Sequence, residues 1–328
     1  MARAWHLKSR PSGMPTSDSF ELKDVHLPEL GDGQVRVRNL WLSVDPYMRG
    51  RMNDVKSYVP PFQVGEPLEG GAIGEVLESK AEGLAVGDLV QHMAGWRDEA
   101  VIPARSAQKL PQLGAPPERF LGILGVTGMT AFFGLLDAAK AKAGDTVFVS
   151  AGAGAVGSVV VQVAKAKGMT VIASAGGPEK CEFVRSLGAD QVIDYKAGSV
   201  LKALAEAAPD GIDVYFDNVG GGHLDAAFAL AKNNARFAIC GMIEHYNDIE
   251  PTKLRFIMRI IAARIRLKGF IVFDYFSRLD EFYRDMAPWV ASGAVKSRET
   301  IVDGLENMPD AFLGLFKGEN IGKMLVRL

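Results

Sequence analysis

The sequence predicts an α/β fold in two parts: a small, strongly curved β-sheet or barrel near the N terminus, and a doubly wound parallel sheet after it. Three observations carry that expectation. Residues 34–101 read as short alternating strands broken by glycine turns. Residues 146–240 read as strands and helices in alternation. The chain has 328 residues, 48% of them apolar, which is enough for two cores at about 150 residues per domain.

The first part opens with "QVRVRNLWLSVD" at 34–45, where apolar and polar residues alternate with the period of a half-buried strand. "EGGAIGEVLES" at 69–79 and "GDLVQHM" at 87–93 follow as short segments set apart by Gly-Asp and Glu-Gly turn signals. Between 114 and 137 the chain turns helical ("LGILGVTGMTAFFGLLDAA"), which marks the passage to the second part. Strands are then expected over 146–150, 170–175, 191–194, 213–217 and 235–240. Helices are expected over 156–167, 179–187, 199–207 and after His223. Parallel strands need crossover helices, so this order implies a parallel, doubly wound sheet. A helical stretch near 251–265, a strand in "LKGFIVF" and a helix over 275–291 follow. The tail over 302–328 ends in a strand-like "KMLVRL".

The formal charge of −2 argues against nucleic acid or an anionic membrane as the main partner. No apolar run has the length of a membrane span, and residues 1–10 lack a signal-peptide core. Two cysteines, Cys181 and Cys240, supply neither a disulfide framework nor a four-thiolate zinc site. A reducing, cytoplasmic setting is the expectation.

The chemistry is concentrated in "VSAGAGAVGSVVVQVAK" at 149–165, which contains Gly152-Ala-Gly154-Ala-Val-Gly157. A lone GxGxxG is weak evidence. Here it follows a strand, opens a helix and begins the αβ alternation, which is the context of a dinucleotide site. Gly152 permits the tight turn, Gly154 lets backbone approach a pyrophosphate, and Gly157 lets helix and strand pack closely. The helix N-terminus offers unpaired N–H groups and a positive partial charge.

An NAD site usually has Asp or Glu about 20 residues further on, to accept from the ribose hydroxyls. The second strand instead ends "VIASAGGPEK", with small residues at 174–177 and then Lys180. Space plus a cation suits a 2′-phosphate, so NADP(H) is the expected cofactor. "FDNVGG" at 216–221 and "CGMIEHY" at 240–246 sit at further strand ends, where ligands lie in doubly wound sheets.

Five segments in order then resemble one family: "LSVDPYMRGRM" (42–52), "AGAVGSVV" (153–160), "FDNVGG" (216–221), "GFIVFDY" (269–275) and "GENIGKMLV" (318–326). The chain resembles the zinc-independent medium-chain dehydrogenase/reductases, the group of prostaglandin reductases, leukotriene hydroxydehydrogenases, alkenal double-bond reductases and bacterial curcumin reductase. The resemblance implies a GroES-like β-barrel domain from residues 1–122 and 291–328, around a Rossmann NADP-binding domain over 123–290. It implies a homodimer and NADPH-dependent reduction of a C=C bond conjugated to a carbonyl. Carried over by motif, Gly154, Ala155, Val156 and Gly157 meet the pyrophosphate. Lys180, Tyr195 and Asn320 serve the adenosine phosphate or the adjoining phosphates. Asn218, the run Cys240, Gly241, Met242, Ile243 through Tyr246, and Phe270, Ile271 and Val272 line the ribose and nicotinamide. Val126 and Thr127 match the turn that approaches the nicotinamide.

Zinc-dependent relatives of that family place a Cys early in the barrel and a Gly-His-Glu after it. This chain has Leu42-Ser-Val-Asp-Pro46 in the Cys region and Gly65-Glu-Pro for Gly-His-Glu. Its five histidines are scattered, with no i, i+4 pair, so the three ligands of a catalytic zinc are not expected. Without a Lewis acid, donors aimed at the developing enolate oxygen carry the reaction. Tyr246 is the side-chain candidate, with the nicotinamide ribose hydroxyl as an equal alternative. Some eukaryotic members have a tyrosine eight residues before "FIV", where this chain has Ala262. Tyr47 and Tyr58 are candidate walls of the substrate pocket. A quinone oxidoreductase of the same superfamily and a non-catalytic NADPH-binding sensor are the alternatives. The basic stretch over 253–270 reads as a solvated helix.

Overall fold

Hydrophobic alternation sets the N-terminal strands. The computed structural model describes residues 1–328 apart from 249 and 251. Strands β1 (Ala2–Leu7) and β2 (Phe20–Val25) pair as an antiparallel hairpin. The ten-residue β3 (Gln34–Ser43) is the spine of a larger sheet, with Val35, Val37 and Leu42 buried. A single turn, α1 (Met48–Arg51), precedes β4 (Ala72–Ser79), β5 (Leu89–His92), β6 (Glu99–Pro103) and β7 (Gln108–Lys109). One edge of β3 carries β4. The other carries β6 beside its first half and the last strand of the chain beside its second half.

The second unit starts with α2 (Val126–Phe133), which runs into a π-helical turn at Gly134–Ala138. Then β8 (Thr146–Val149), α3 (Gly157–Ala166), β9 (Thr170–Ala175), α4 (Pro178–Ser186) and β10 (Gln191–Asp194) form one half of a sheet. The other half comprises α5 (Val200–Ala207), β11 (Ile212–Asp217), α6 (Gly221–Leu230), β12 (Ala231–Ile239), α7 (Arg259–Ala262) and β13 (Arg266–Gly269), before α8 (Leu279–Ala291). The strand order is β10-β9-β8-β11-β12-β13, all parallel. Strands β8, β9 and β11 are buried almost throughout, as strands covered by helices on both faces must be. The order reverses between β8 and β11, and crevices at such switch points hold ligands in doubly wound sheets.

The chain closes with β14 (Glu299–Asp303), α9 (Met308–Lys317) and β15 (Lys323–Arg327). The first unit comprises Met1–Leu121 with Glu299–Leu328, and the second comprises Gly122–Arg298. The stretch after α8 stays with the second unit because the Gln162 carboxamide brackets Lys296, accepting from its amide at 2.7 Å and donating to its carbonyl at 2.9 Å. In the first unit Phe20 stacks on Trp96 and Phe312 meets Trp96 edge-on. In the second, Phe148, Tyr215, Phe228 and Phe237 fill the space beneath α5 and α6.

Several local expectations are corrected. The stretch at 251–265 holds one helical turn, α7, among its described residues, and Pro251 lies outside them. Three isoleucines at 257, 260 and 261 have low helix propensity, and Arg264 (φ +51°) ends the turn. The strand in "LKGFIVF" stops at Gly269 and gives way to a 3₁₀ turn over Val272–Arg278, so the following α-helix begins at Leu279. Tertiary contacts cause the break. Tyr275 stacks on Phe133 and donates to Asp137, which draws the chain away from the strand line. The helical stretch at 114–137 divides into a 3₁₀ turn at Pro117–Leu121 and α2. The hairpin β1–β2, strand β14 and helix α9 carry no signal that the alternation reading detects.

Candidate coenzyme site

The glycine turn has a specific job for each glycine. Ala151 takes a left-handed conformation (φ +51°) directly after β8. Gly152 donates to the Ser174 carbonyl at 2.7 Å, tying the turn to β9. A Cβ on Gly157 would lie 2.2 Å from the Ala151 carbonyl oxygen and 3.0 Å from the Gly152 Cα. Only glycine lets α3 start that close to the turn. A Cβ on Gly154 would meet only the Ala151 oxygen, at 3.2 Å, and otherwise open space. No side chain caps α3, whose N-cap residue is Val156. The amides of Ser158 and Val159 donate to the carbonyls of Gly154 and Val156, at 3.0 and 3.1 Å, so the helix begins directly beside the open flank of Gly154. That is a cradle for an anion.

The ends of β9 and β10 bring Tyr195 against Gly176, two residues before α4, which carries Lys180. The Tyr195 hydroxyl lies 2.6 Å from where a Cβ on Gly176 would stand, so the phenol lies flat against that glycine. Gly177 (φ +91°) is the N-cap of α4. Asp194, at the end of β10, is engaged: its Oδ1 accepts from the amides of Gly177 and Lys196, both at 2.9 Å. Burial lowers the Lys180 ammonium pKa, and the neighbouring Lys196 charge lowers it further. Positive charge at Lys180 and Lys196 on this flank favours an anionic group over a diol. The reading of the sequence singled out Lys180 and passed over Lys196, which is adjacent to Tyr195.

A second cluster forms at the ends of β8, β11 and β12. The Asn218 amide donates to Ser150 Oγ and its carboxamide to the Ser150 carbonyl, each at 2.8 Å. One of the two Asn218 side-chain N–H donors is therefore used inside the protein, which fixes the carboxamide's orientation. Residues 240–246 fold back so that the Tyr246 hydroxyl sits 2.9 Å from a Cβ position on Gly241. Burial pushes the Cys240 thiol up to about 12, with Asp217 adding to the effect, so it stays protonated at neutral pH. Phe270 enters a notch at Gly134, where a Cβ would lie 2.4 Å from the ring, and Ile271 and Val272 follow it into the 3₁₀ turn. Val126 and Thr127 form the first turn of α2, where Thr127 is buried and its hydroxyl has no hydrogen-bond partner.

Tyr47, Tyr58 and Asn320 belong to the first unit. Tyr47 is half-buried at the start of α1, and its phenol pKa is raised by burial and by Asp45. Asp45 is held by Lys323 Nζ at 2.9 Å and by the Ser43 hydroxyl. Tyr58 is exposed. The Asn320 carboxamide donates to the Gly322 carbonyl at 2.8 Å, within the loop that follows the left-handed Gly318.

Among the described residues no group of three or more His, Cys, Asp or Glu side chains is placed to hold a metal ion. His92 is buried in the sheet, with Nδ1 accepting from the Ala94 amide and its pKa lowered to about 4 by burial. His6 Nδ1 bonds the Gly65 carbonyl. His245 pairs with Asp248 at 2.7 Å. A zinc ion does not fit this donor set. A phosphorylated dinucleotide fits the second unit's open turn, with Lys180 on the helix after β9.

Comparison with known proteins extends this picture. Residues 3–110 match the family described as the N-terminal domain of oxidoreductase, and residues 155–292 match the family described as zinc-binding dehydrogenase. The NADPH-dependent curcumin reductase of Escherichia coli K12 is 42% identical, over 99% of this chain and 96% of its own length. The NADP-dependent 2-alkenal reductase of Nicotiana tabacum is 42% identical, over 98% of this chain and 95% of its own. The crystal structure of CurA from Vibrio vulnificus in complex with NADPH superposes with a TM-score of 0.94 at 42% identity, covering 99% of this chain and 98% of that one.

Proposed function

The chain belongs to the zinc-independent medium-chain dehydrogenase/reductase family, an NADP-dependent oxidoreductase group, and from that premise we propose that it reduces the C=C bond of α,β-unsaturated ketones and aldehydes with NADPH. The observation that carries the coenzyme is the glycine turn with an open flank at Gly154, with Lys180 on α4, the helix that follows β9. The substrate class rests on the activities of the curcumin and alkenal reductases.

When bound, NADPH would supply a hydride to the β-carbon; the C=C π pair would become the π bond between the α-carbon and the carbonyl carbon, and the carbonyl π pair would pass to oxygen as an enolate. The protein's part is positioning and polarisation. The turn at Gly152–Gly157 and the N-terminus of α3 hold the pyrophosphate. Lys180, Lys196 and Tyr195 hold the adenosine phosphate. Asn218, the 240–246 hairpin and the Phe270–Val272 segment orient the nicotinamide ribose, with Val126 and Thr127 at the ring. Tyr246 donates toward the enolate oxygen, and one such donor is typically worth about 3 kcal/mol. Ala262 offers no hydroxyl, so the α-carbon takes its proton from a coenzyme hydroxyl or water. Tyr47 and Tyr58 wall the substrate pocket.

A homodimer and a cytoplasmic setting complete the proposal. The edge strand β13 is exposed throughout, and Met258, Ile261, Leu267 and Phe276 are exposed apolar side chains in the same region of the chain. An open edge with apolar surface supports pairing with a second copy. Among the described residues no helix is long and apolar enough to cross a membrane.

The test is NADPH oxidation with a panel of enals, enones and quinones, with identification of the product. A saturated carbonyl product supports the proposal. Turnover confined to quinones, or coenzyme binding without turnover of any conjugated carbonyl, contradicts it.

A further inference from the structure

The motif "FDNVGG" contains one residue that the coenzyme reading leaves without a task. Asp217 is completely buried at the end of β11. Its Oδ1 accepts from four donors: the Tyr215 hydroxyl at 2.7 Å, the Ser150 hydroxyl at 3.2 Å, and the amides of Val219 and Gly220 at 2.9 and 2.8 Å. Its backbone carbonyl accepts from the amides of Cys240 and Gly241 at 2.9 and 3.1 Å. Asp217 is therefore the point where the ends of three neighbouring strands are tied.

The tie continues outward. Ser150 Oγ, which donates to Asp217, also accepts from the Asn218 amide. Ile243 and Glu244 donate to the carbonyls of Asn218 and Val219, at 3.3 and 3.1 Å. The turn at 218–221 and the hairpin at 240–246 are thus zipped together above one carboxylate. Most of a buried carboxylate's surroundings are usually paired with a cation; here backbone amides and hydroxyls do that work. The second oxygen, Oδ2, is buried without a partner. A carboxylate retained at that expense in a strand end made otherwise of Tyr, Phe and Asn points to a geometric role.

We propose that Asp217 is a positioning residue for the nicotinamide half of the coenzyme, fixing the 218–221 turn and the 240–246 hairpin in mutual register through its Oδ1 and its carbonyl. It touches neither coenzyme nor substrate. The adenosine end, built on β9 and β10, lies outside this network. The inference rests on the coenzyme reading above, so its test separates the two halves of the coenzyme and needs no substrate.

The experiment compares Asp217→Ala, Asp217→Asn and Ser150→Ala with the wild type, by fluorescence titration of NADPH and calorimetric titration of adenosine 2′,5′-bisphosphate, which lacks the nicotinamide half. Losing a buried acceptor for four donors is expected to weaken NADPH by about tenfold or more in Asp217→Ala. The affinity for adenosine 2′,5′-bisphosphate should stay within about twofold, since its adenosine and 2′-phosphate sit at the ends of β9 and β10. Asp217→Asn keeps an acceptor oxygen in the same place and should restore NADPH binding to within about threefold. Should Asp217→Ala fail to fold, Ser150→Ala removes one hydroxyl from the same network and should show the same selective loss, smaller in size. An equal loss of both ligands, an unchanged NADPH affinity, or an Asp217→Asn variant as weak as Asp217→Ala overturns the proposal. A wild-type protein that binds neither ligand instead overturns the coenzyme reading.

Discussion

Two alanine substitutions in one turn should have opposite signatures. Gly154→Ala places a methyl 3.2 Å from one carbonyl oxygen and otherwise in open space, at a residue with no left-handed backbone. Its effect on stability should stay within about 0.5 kcal/mol. The methyl occupies the flank that the pyrophosphate must approach. Losing one close charge-assisted bond there is worth about 1.5–3 kcal/mol, or roughly ten- to a hundredfold in NADPH affinity. Gly157→Ala differs because its methyl would lie 2.2 Å from the Ala151 oxygen. Backbone must move, at a cost of about 1–3 kcal/mol, which lowers the melting temperature by about 2–4 °C per kcal/mol in a domain of this size. NADPH affinity should fall as well, since the displaced atoms belong to the turn. Thermal melts of the coenzyme-free protein and NADPH titrations separate the two. A Gly154→Ala protein that binds NADPH like the wild type, or that melts as low as Gly157→Ala, would refute the reasoning.

Further expectations follow from the same site. Lys180→Ala should raise the KM for NADPH by about ten- to a hundredfold, the scale of one charged hydrogen bond, and leave that for NADH nearly unchanged; steady-state kinetics with both coenzymes decide it. Tyr246→Phe keeps the ring over Gly241 and removes the donor, so kcat for an enone should drop several-fold with little change in the KM for NADPH; unchanged kcat removes Tyr246 from the mechanism. Burial holds the His223 imidazole at about 4, below its usual 6.5. The unfolded chain therefore takes up the proton first as pH falls, and stability is lost from about 6.5 down through about 4, at up to roughly 1.4 kcal/mol per pH unit. His223→Phe should make the urea midpoint less sensitive between pH 7 and pH 5, by the equivalent of about 2 kcal/mol; an identical pH response would show that His223 is not the group concerned.

The parallel-sheet unit was legible because each of its strands is a short apolar run bracketed by turn residues and helices, and both faces are covered. The glycine turn was legible because only the smallest residue satisfies three different steric demands within six positions. Residues beyond Gly241 were harder. Whether "GFIVF" continues a strand depends on Tyr275 reaching Phe133 and Asp137, partners more than a hundred positions away. Local pattern cannot encode such contacts. The same holds at the site. Tyr195 lies against Gly176 because β9 and β10 are neighbours in the sheet. Lys196 and Asp217 went unread: one is an ordinary surface lysine until its neighbour is known, and the other is hidden inside a recognisable motif. Asn218 and Asn320 carry their motifs' amides, yet both amides bond within the protein.

The most direct test of the central claim is to run the reaction with NADPH deuterated at the transferable C4 position and an enone, and to locate the label in the product. The account predicts deuterium on the former β-carbon of a saturated ketone, with the carbonyl intact. A deuterated carbinol, or consumption of NADPH with no label on that carbon, would contradict it.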